Sequence, residues 1–302
     1  MKIIKVAYLL SDNLGDAVFL SCLLKQREVP VKFFFKKNQL GEQLYNIYGK
    51  YCEVEFCKDL QELRAREPEV IEYSEAVTFF GTKDLHMSRL LLNYFGFKDV
   101  KNLPVIHVDD RLTDWAKKFC SEFKDPIVII PSNCGSGDEG NSLGQYRKPP
   151  FDFLSRVVEE NKDEHDFIQF GVAPNHYRDG YSNFHAIKGA LKILDLPLDK
   201  LAAMYKVIGK IISGDTGDYH FAVAVGSKAN VLVPNNSHGY QHRYLHYDEN
   251  SWDGASKVNY INFREIESNK NLAKTITDFR EDRDDNESRK IPIDKSLGID
   301  II

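Results

Sequence analysis

The run Gly214-Asp215-Thr216-Gly217-Asp218-Tyr219-His220 puts carboxylates, a hydroxyl and an imidazole on one short stretch punctuated by glycine. The apolar segment Lys210-Ile211-Ile212-Ser213 precedes it. A small-residue helix and the apolar strand Ala229–Val233 follow. Strand, polar turn, helix and strand make a βαβ unit. At such a turn the first backbone N–H groups of the helix lack helical partners, and the positive helix end lies just past the strand's carboxyl edge. This is where α/β proteins bind phosphate. Asp215 and His220 add a carboxylate and an imidazole at the same spot. The residues also fit a plain capped helix, with Thr216 or Asp218 as the cap.

A second such site lies near the other end of the chain. Lys5–Leu10 is an apolar strand, Ser11-Asp12-Asn13-Leu14-Gly15-Asp16 a turn, Ala17–Lys25 an apolar helix, and Val29–Phe35 the next strand. Each site carries a carboxylate at the head of its helix. No GxGxxG run occurs, which argues against a nicotinamide or flavin dehydrogenase. No GxxxxGK[ST] run occurs either, which argues against a P-loop NTPase.

These residues carry a resemblance to the heptosyltransferase family (glycosyltransferase family 9), inverting sugar-nucleotide transferases of the GT-B fold. The family's N-terminal Gly-Asp turn is matched by Leu14-Gly15-Asp16. Its strand, phosphate loop and Lys-x-Trp-Pro segment are matched by Ile127–Asn133 and then Arg147-Lys148-Pro149-Pro150, with Arg147 in place of Lys and Pro149 in place of Trp. Its Asp-Thr-Gly-x-x-His-x-x-Ala-Ala motif is matched by Asp215–Ala224. The resemblance covers roughly residues 3–265. It implies an α/β protein of two Rossmann-like domains facing across a cleft. It also implies transfer of a sugar from a nucleotide-diphosphate sugar to an acceptor hydroxyl. Such a transfer needs a base, charge or N–H groups for the leaving diphosphate, and groups that orient the sugar. The resemblance makes Asp16 the base and gives the donor diphosphate to Ser132, Asn133, Arg147, Lys148, Thr216, Gly217 and His220. An arginine serves a diphosphate bidentately, so Arg147 is a workable replacement for lysine. Asp215 would bind hydroxyls of the transferred sugar. Asn235 and His238, in the loop after strand 229–233, would lie near the donor. Asn13, Lys36 and Lys37 would lie on the acceptor side. No cofactor and no metal are expected beyond the nucleotide-sugar co-substrate. The acceptor expected first is an envelope saccharide, and second a modified base in viral DNA. A non-catalytic nucleotide or sugar-phosphate binding protein of the same fold is the alternative.

The elements that must position these residues follow an α/β rhythm. Apolar runs predict strands over 3–10, 31–35, 53–56, 69–72, 76–79 and 104–108, and helices over 16–27, 39–50, 59–65 and 84–96. Asp110–Phe123 reads as an amphipathic helix with Leu112, Trp115, Ala116 and Phe119 on one stripe. Lys124-Asp125-Pro126 then breaks the chain. Strands are expected over 127–130, 166–170, 210–213, 229–233 and 258–262, and helices over 151–162, 198–207 and 217–226. The division expected is an acceptor domain at 1–124, a donor domain at 125–265, and a helix with a charged tail at 266–302 that could return to the first domain.

Composition agrees. The 302 residues suffice for two domains, and 42 % hydrophobic content suits a packed core. A net charge of −5 gives no general attraction to nucleic acid or anionic lipid. The five cysteines (Cys22, Cys52, Cys57, Cys120, Cys134) are odd in number and scattered, the pattern of a reducing compartment. Met1–Lys5 leads straight into a strand, which reads as no secretory leader, and no run of about 18 apolar residues suggests a membrane span. The expected location is the cytoplasm, at the inner membrane surface for an envelope acceptor or in a host cell for a viral protein. The spacing His238-x3-His242-x3-His246 would suit a metal on a helix, but Asn235-Asn236-Ser237 and Gly239 argue for a loop. Asp282-Arg283-Asp284 follows no strand and sits in a charged tail. Lys32, Lys36 and Lys37 around Phe33-Phe34-Phe35 form a basic, aromatic strand end that would suit an anionic acceptor.

Overall fold

The structure is a computed structural model that describes residues 3–9, 14–24, 29–78, 87–97, 105–131, 151–171, 186–214, 216–233 and 258–279. The first sheet comprises β1 (Ile4–Tyr8), β2 (Val31–Lys36), β3 (Glu53–Cys57) and β4 (Ile71–Glu72), in the spatial order β3-β2-β1-β4. The second comprises β5 (Ile127–Ile130), β6 (Phe167–Gly171), β7 (Leu191–Leu194), β8 (Lys210–Gly214), β9 (Lys228–Val233) and β10 (Val258–Asn262), in the order β10-β9-β8-β5-β6-β7. All the strand pairs are parallel. Parallel strands need crossover helices on the sheet faces, so the central strands are apolar on both sides. Thus β5 is Ile-Val-Ile-Ile and buried throughout.

The two-residue period decides what each face packs against. Val128 and Ile130 of β5 join Ile211 and Val231 on one face, against α9 (Leu198–Ile208) and α10 (Gly217–Ala224). Ile127 and Ile129 join Ile212 and Leu232 on the other face. They meet Phe153, Leu154 and Val157 of α8 (Phe151–Asn161) and Leu272, Ala273 and Ile276 around α12 (Leu272–Thr275). Asn161 ties this layer together by donating from Nδ2 to Val157 O and Ala273 O, both at 2.8 Å. The described C-terminal residues, which include α11 (Phe263–Ser268), therefore run beside the second sheet.

Between the two sheets the core is continuous. Helices α1 (Leu14–Phe19), α2 (Ser21–Leu24) and α3 (Gln39–Tyr48) cover one face of the first sheet and share a single buried cluster with α9 and α10. Tyr8, Phe19, Phe33, Phe35 and Tyr48 from the first half, and Tyr205, Tyr219 and Phe221 from the second, all belong to it. Helix α7 (Asp110–Cys120) packs along α9, burying Thr113, Ala116 and Cys120. Gln43 of α3 reaches across to accept from Leu198 N at 3.1 Å. Helix α9 ends on Gly209, whose φ of +70° suits a left-handed cap that glycine adopts without strain. Among the described residues, the opposite face of the first sheet carries a small cluster of Ala7, Phe34, Cys57, Leu63 and Val70 beneath α4 (Leu60–Arg66).

Several expectations need correction. The strand expected at 76–79 is part of a helix, α5 (Tyr73–Thr78), followed by α6 (Met87–Tyr94). Tyr73, Ala76 and Val77 are buried at i, i+3 and i+4, and this helical spacing outweighs the β-branched pair Val77-Thr78. Residues 105–108 form no strand. Instead Ile106 N donates to Ala224 O at 2.9 Å, strapping this segment to the end of α10. Phe119 is off the buried stripe of α7: it is 38 % exposed and leans on Trp115 and Phe123. The edge strand β7 went unanticipated, and its Leu191 and Leu194 face solvent.

Candidate active site

Each sheet has a switch point where the strand order reverses, the place beyond the carboxyl ends of the strands where open α/β sheets bind ligands. In the first sheet it lies between β1 and β4, which lead into α1 and α5. In the second it lies between β5 and β8, which lead into the 132–150 segment and α10. The two points meet. A Cβ placed on Gly217, the first residue of α10, would stand 2.7 Å from Gly15 N and 3.2 Å from Leu14 Cβ. Real Cβ atoms do not approach backbone that closely, so position 217 must be glycine for the starts of α1 and α10 to touch.

Asp16 sits in the first turn of α1, 6 % exposed, with Tyr73 Oη donating to its Oδ1 at 3.5 Å. The helix begins at Leu14, so Asp16 lies inside it and is not its N-cap. A turn further along, Phe19 meets His220 of α10 edge to face at 5.0 Å. His220 is 4 % exposed and lies over Tyr219 with ring centroids 3.8 Å apart, so its imidazole is part of the seam between α1 and α10.

Thr216 precedes α10 in an extended conformation and makes no side-chain cap bond. Its hydroxyl lies 3.2 Å from Ser213 Oγ. Asp218, half-buried in the first turn, accepts from Tyr205 Oη at 2.8 Å. Burial pushes its carboxyl above the ordinary aspartate value, against the lowering effect of Tyr205 and of its own backbone N–H. The Tyr205 hydroxyl is in turn raised well above its usual value by burial and the neighbouring carboxylate. Ser227 Oγ donates to Tyr205 O at 2.7 Å, fixing α9 against the end of α10.

The structure thus brings Asp16, Thr216, Gly217 and His220 to one junction. Lys36 and Lys37 are exposed at the carboxyl end of β2, beside β1. Lys32 does not belong with them. It is buried on the sheet face, with Nζ 2.6 Å from both Glu53 and Glu55. Burial alone would lower its pKa, but hydrogen bonds to the two glutamates more than offset this and raise it. Asn13, Ser132, Asn133, Arg147, Lys148, Asp215, Asn235 and His238 lie outside the described residues, as do the histidines of the His-x3-His series and the 282–284 run. Among the described residues, no three His, Cys, Asp or Glu side chains are grouped so as to hold a metal ion. No described helix is long and apolar enough to cross a membrane. Tyr73 is the site residue that sequence reasoning missed, because β4 and β1 become neighbours only in the folded sheet.

Two parallel sheets with helices between them and switch points meeting at one junction define the GT-B form of the α/β class. No protein-family model matches the sequence, and no curated protein matches it. Solved structures do. The chain is similar to a glycosyl transferase family 9 protein from Veillonella parvula, at 13 % identity over 93 % of this chain and 92 % of that one, with a TM-score of 0.60. It is similar to the E. coli heptosyltransferase WaaC with ADP-2-deoxy-2-fluoro heptose, at 10 % identity over 90 % and 98 % of the two chains, with a TM-score of 0.51. It is also similar to the heptosyltransferase TibC of enterotoxigenic E. coli in complex with ADP-D-β-D-heptose, at 11 % identity over 77 % and 60 %, with a TM-score of 0.50. At these identities the likeness is one of fold.

Proposed function

We propose that the protein is an inverting glycosyltransferase that uses a nucleotide-diphosphate sugar. The observation that carries this reading is the contact of Gly15 with Gly217. It sets a carboxylate at the head of one helix against the first turn of another that follows a strand's carboxyl edge. The donor diphosphate lies against the first N–H groups of α10 and the Thr216 hydroxyl, with Arg147 and Lys148, from the segment after β5, supplying positive charge. Ser132 and Asn133 at the start of that segment and His220 complete the phosphate side. Asp215 accepts from hydroxyls of the sugar, and Asn235 and His238 contact the donor. Asp16 takes the proton of the acceptor hydroxyl as its oxygen attacks the anomeric carbon. The bond from that carbon to the diphosphate oxygen breaks, and the leaving group departs with the electron pair. Attack from the face opposite the leaving group inverts the configuration. A base of this kind contributes about 10²–10⁴ in rate.

The fold neighbours that hold ADP-sugars make an ADP-linked sugar the first donor to try. The acceptor comes to the first sheet, past Asn13, Lys36 and Lys37, and an envelope saccharide is the reading we favour. Arginine, lysine and helix N–H groups stabilise the diphosphate without a metal, so activity survives excess chelator. Loss in EDTA restored by Mg²⁺ or Mn²⁺ contradicts this. The reading as a whole is tested by thermal shift against nucleoside diphosphates and their sugars. A ligand at 100 times its Kd stabilises by about 2.7 kcal/mol. A panel without a single shift counts against the assignment.

A further inference from the structure

We propose that Tyr73 is a positioning residue for the Asp16 carboxylate, an inference that rests on the reading of Asp16 as the base. Tyr73 is the first residue of α5 and follows directly on β4. The register Val6↔Ile71 and Ala7↔Glu72 brings it alongside Tyr8, the last residue of β1. The two rings meet edge to face at 5.4 Å, and each residue is 1 % exposed. From this fixed ring Tyr73 Oη donates to Asp16 Oδ1, and Asp16 is itself buried. The switch point of the first sheet is thus built from three side chains. Tyr8 locks a ring, the ring aims a hydroxyl, and the hydroxyl holds one oxygen of the carboxylate.

An aspartate has two soft side-chain torsions, whereas a base must present its oxygen at one place. A donor on one carboxylate oxygen sets the plane of the group and favours the ionised form that accepts a proton. A buried tyrosine hydroxyl needs a polar partner, and this geometry supplies one. The separation of 3.5 Å is long for O–H···O. Catalytic hydrogen bonds commonly have such lengths before substrate arrives and tighten in the complex. Tyr73 is 1 % exposed, so in this proposal it acts through Asp16.

The variant Tyr73→Phe removes the hydroxyl and keeps the ring packed on Tyr8. Infrared spectra of protein carrying ¹³C-carboxyl aspartate isolate Asp16 by subtraction of the Asp16→Asn spectrum. The Asp16 carboxylate stretch should shift between the wild-type and Tyr73→Phe backgrounds, and an unchanged band overturns the proposal. Turnover is read as nucleoside diphosphate release from ADP-D-β-D-heptose, UDP-glucose and UDP-N-acetylglucosamine with water as acceptor. Tyr73→Phe should lower kcat about ten- to hundredfold with KM unchanged. Added to Asp16→Asn, it should cost nothing more. A raised KM at unchanged kcat, or full additivity in the double variant, overturns the positioning role. The two layers separate cleanly. A dead Asp16→Asn with an unmoved band removes Tyr73 alone, whereas normal turnover by Asp16→Asn removes the base reading and the positioning role with it.

Discussion

Helices α3, α4 and α7 begin on an N-cap side chain that accepts from a first-turn N–H, whereas the N-cap residue of α10 makes no such bond. Asn38 Oδ1 accepts from Gly41 N at 2.7 Å at the head of α3. Asp59 does the same for Glu62 N at 2.8 Å in α4, and Asp109 for Arg111 N at 2.8 Å in α7. Gln43 reaches from α3 to the first N–H of α9. At α10 the N-cap residue is Thr216, a good cap by type, yet its hydroxyl turns toward Ser213 and caps nothing. Side-chain caps settle a helix end for stability, each at about 1 kcal/mol. At α10 the first-turn acceptor is instead Asp218, which meets its own N–H, and a Cβ on Gly217 would stand 2.7 Å from Gly15 N at the head of a helix from the other sheet. Helix ends capped by their N-cap side chains thus stand against the end that we propose receives the donor.

The strongest way to break this comparison is at the base. Asp16→Asn should reduce transfer about 10²–10⁴-fold while a thermal-shift titration still shows donor binding. Near wild-type turnover would leave the α1 head with a structural role only. Next come the two kinds of helix start. Thr216→Val and Arg147→Ala should each weaken nucleoside diphosphate binding about ten- to hundredfold. Asp215→Ala should chiefly harm the intact diphosphate sugar, because a carboxylate repels phosphate and suits sugar hydroxyls. Asn38→Ala should do the reverse: it costs about 0.5–2 kcal/mol of stability and leaves diphosphate affinity alone. Titrating these variants with the free diphosphate and the sugar nucleotide, alongside urea melts, shows whether the division holds.

Gly217→Ala probes the junction itself. The added methyl meets Gly15 backbone, so the heads of α1 and α10 must separate, at about 1–3 kcal/mol by the usual scale of overpacking. A melting temperature equal to wild type would mean that the contact is looser than 2.7 Å implies. The smallest effect is expected at Asp218. Its carboxyl holds its proton to higher pH in the folded chain than in the unfolded one. In the window between the unfolded value, about 3.9, and the raised folded value, the native state binds more protons, so stability falls as pH rises through it. Above the window the cost is fully present. Asp218→Asn keeps an acceptor for Tyr205 and removes that cost. It should melt slightly above wild type at neutral pH, with the gap closing as pH falls through the carboxyl range. A gap that widens at low pH reverses the sign and contradicts the assignment.

Much of the fold was legible because parallel strands buried on both faces announce themselves as apolar runs. Ile127–Ile130, Lys210–Gly214 and Lys228–Val233 needed no tertiary knowledge. The misreadings fall where partners decide. Tyr73–Thr78 carries β-branched residues but folds as a helix because Tyr73, Ala76 and Val77 share a buried face. Leu191–Leu194 forms an edge strand whose leucines stay exposed, so burial left little pattern in it. At the site, Asp16 and Gly217 stood out from local turn chemistry, each at the head of a helix after a strand. Tyr73 could not, since its partner lies 57 residues away and its place depends on β4 lying beside β1. Lys32 looked like part of a basic strand end, yet its position in the register sets it beside Glu53 and Glu55.

The central claim is that the meeting of α1 and α10 is the donor site. A crystal structure of the protein with ADP tests it most directly. The diphosphate should lie within hydrogen-bond distance of the first N–H groups of α10 and the Thr216 hydroxyl, with its terminal phosphate turned toward Asp16. A diphosphate bound at any other place, with the head of α10 untouched, would contradict the account.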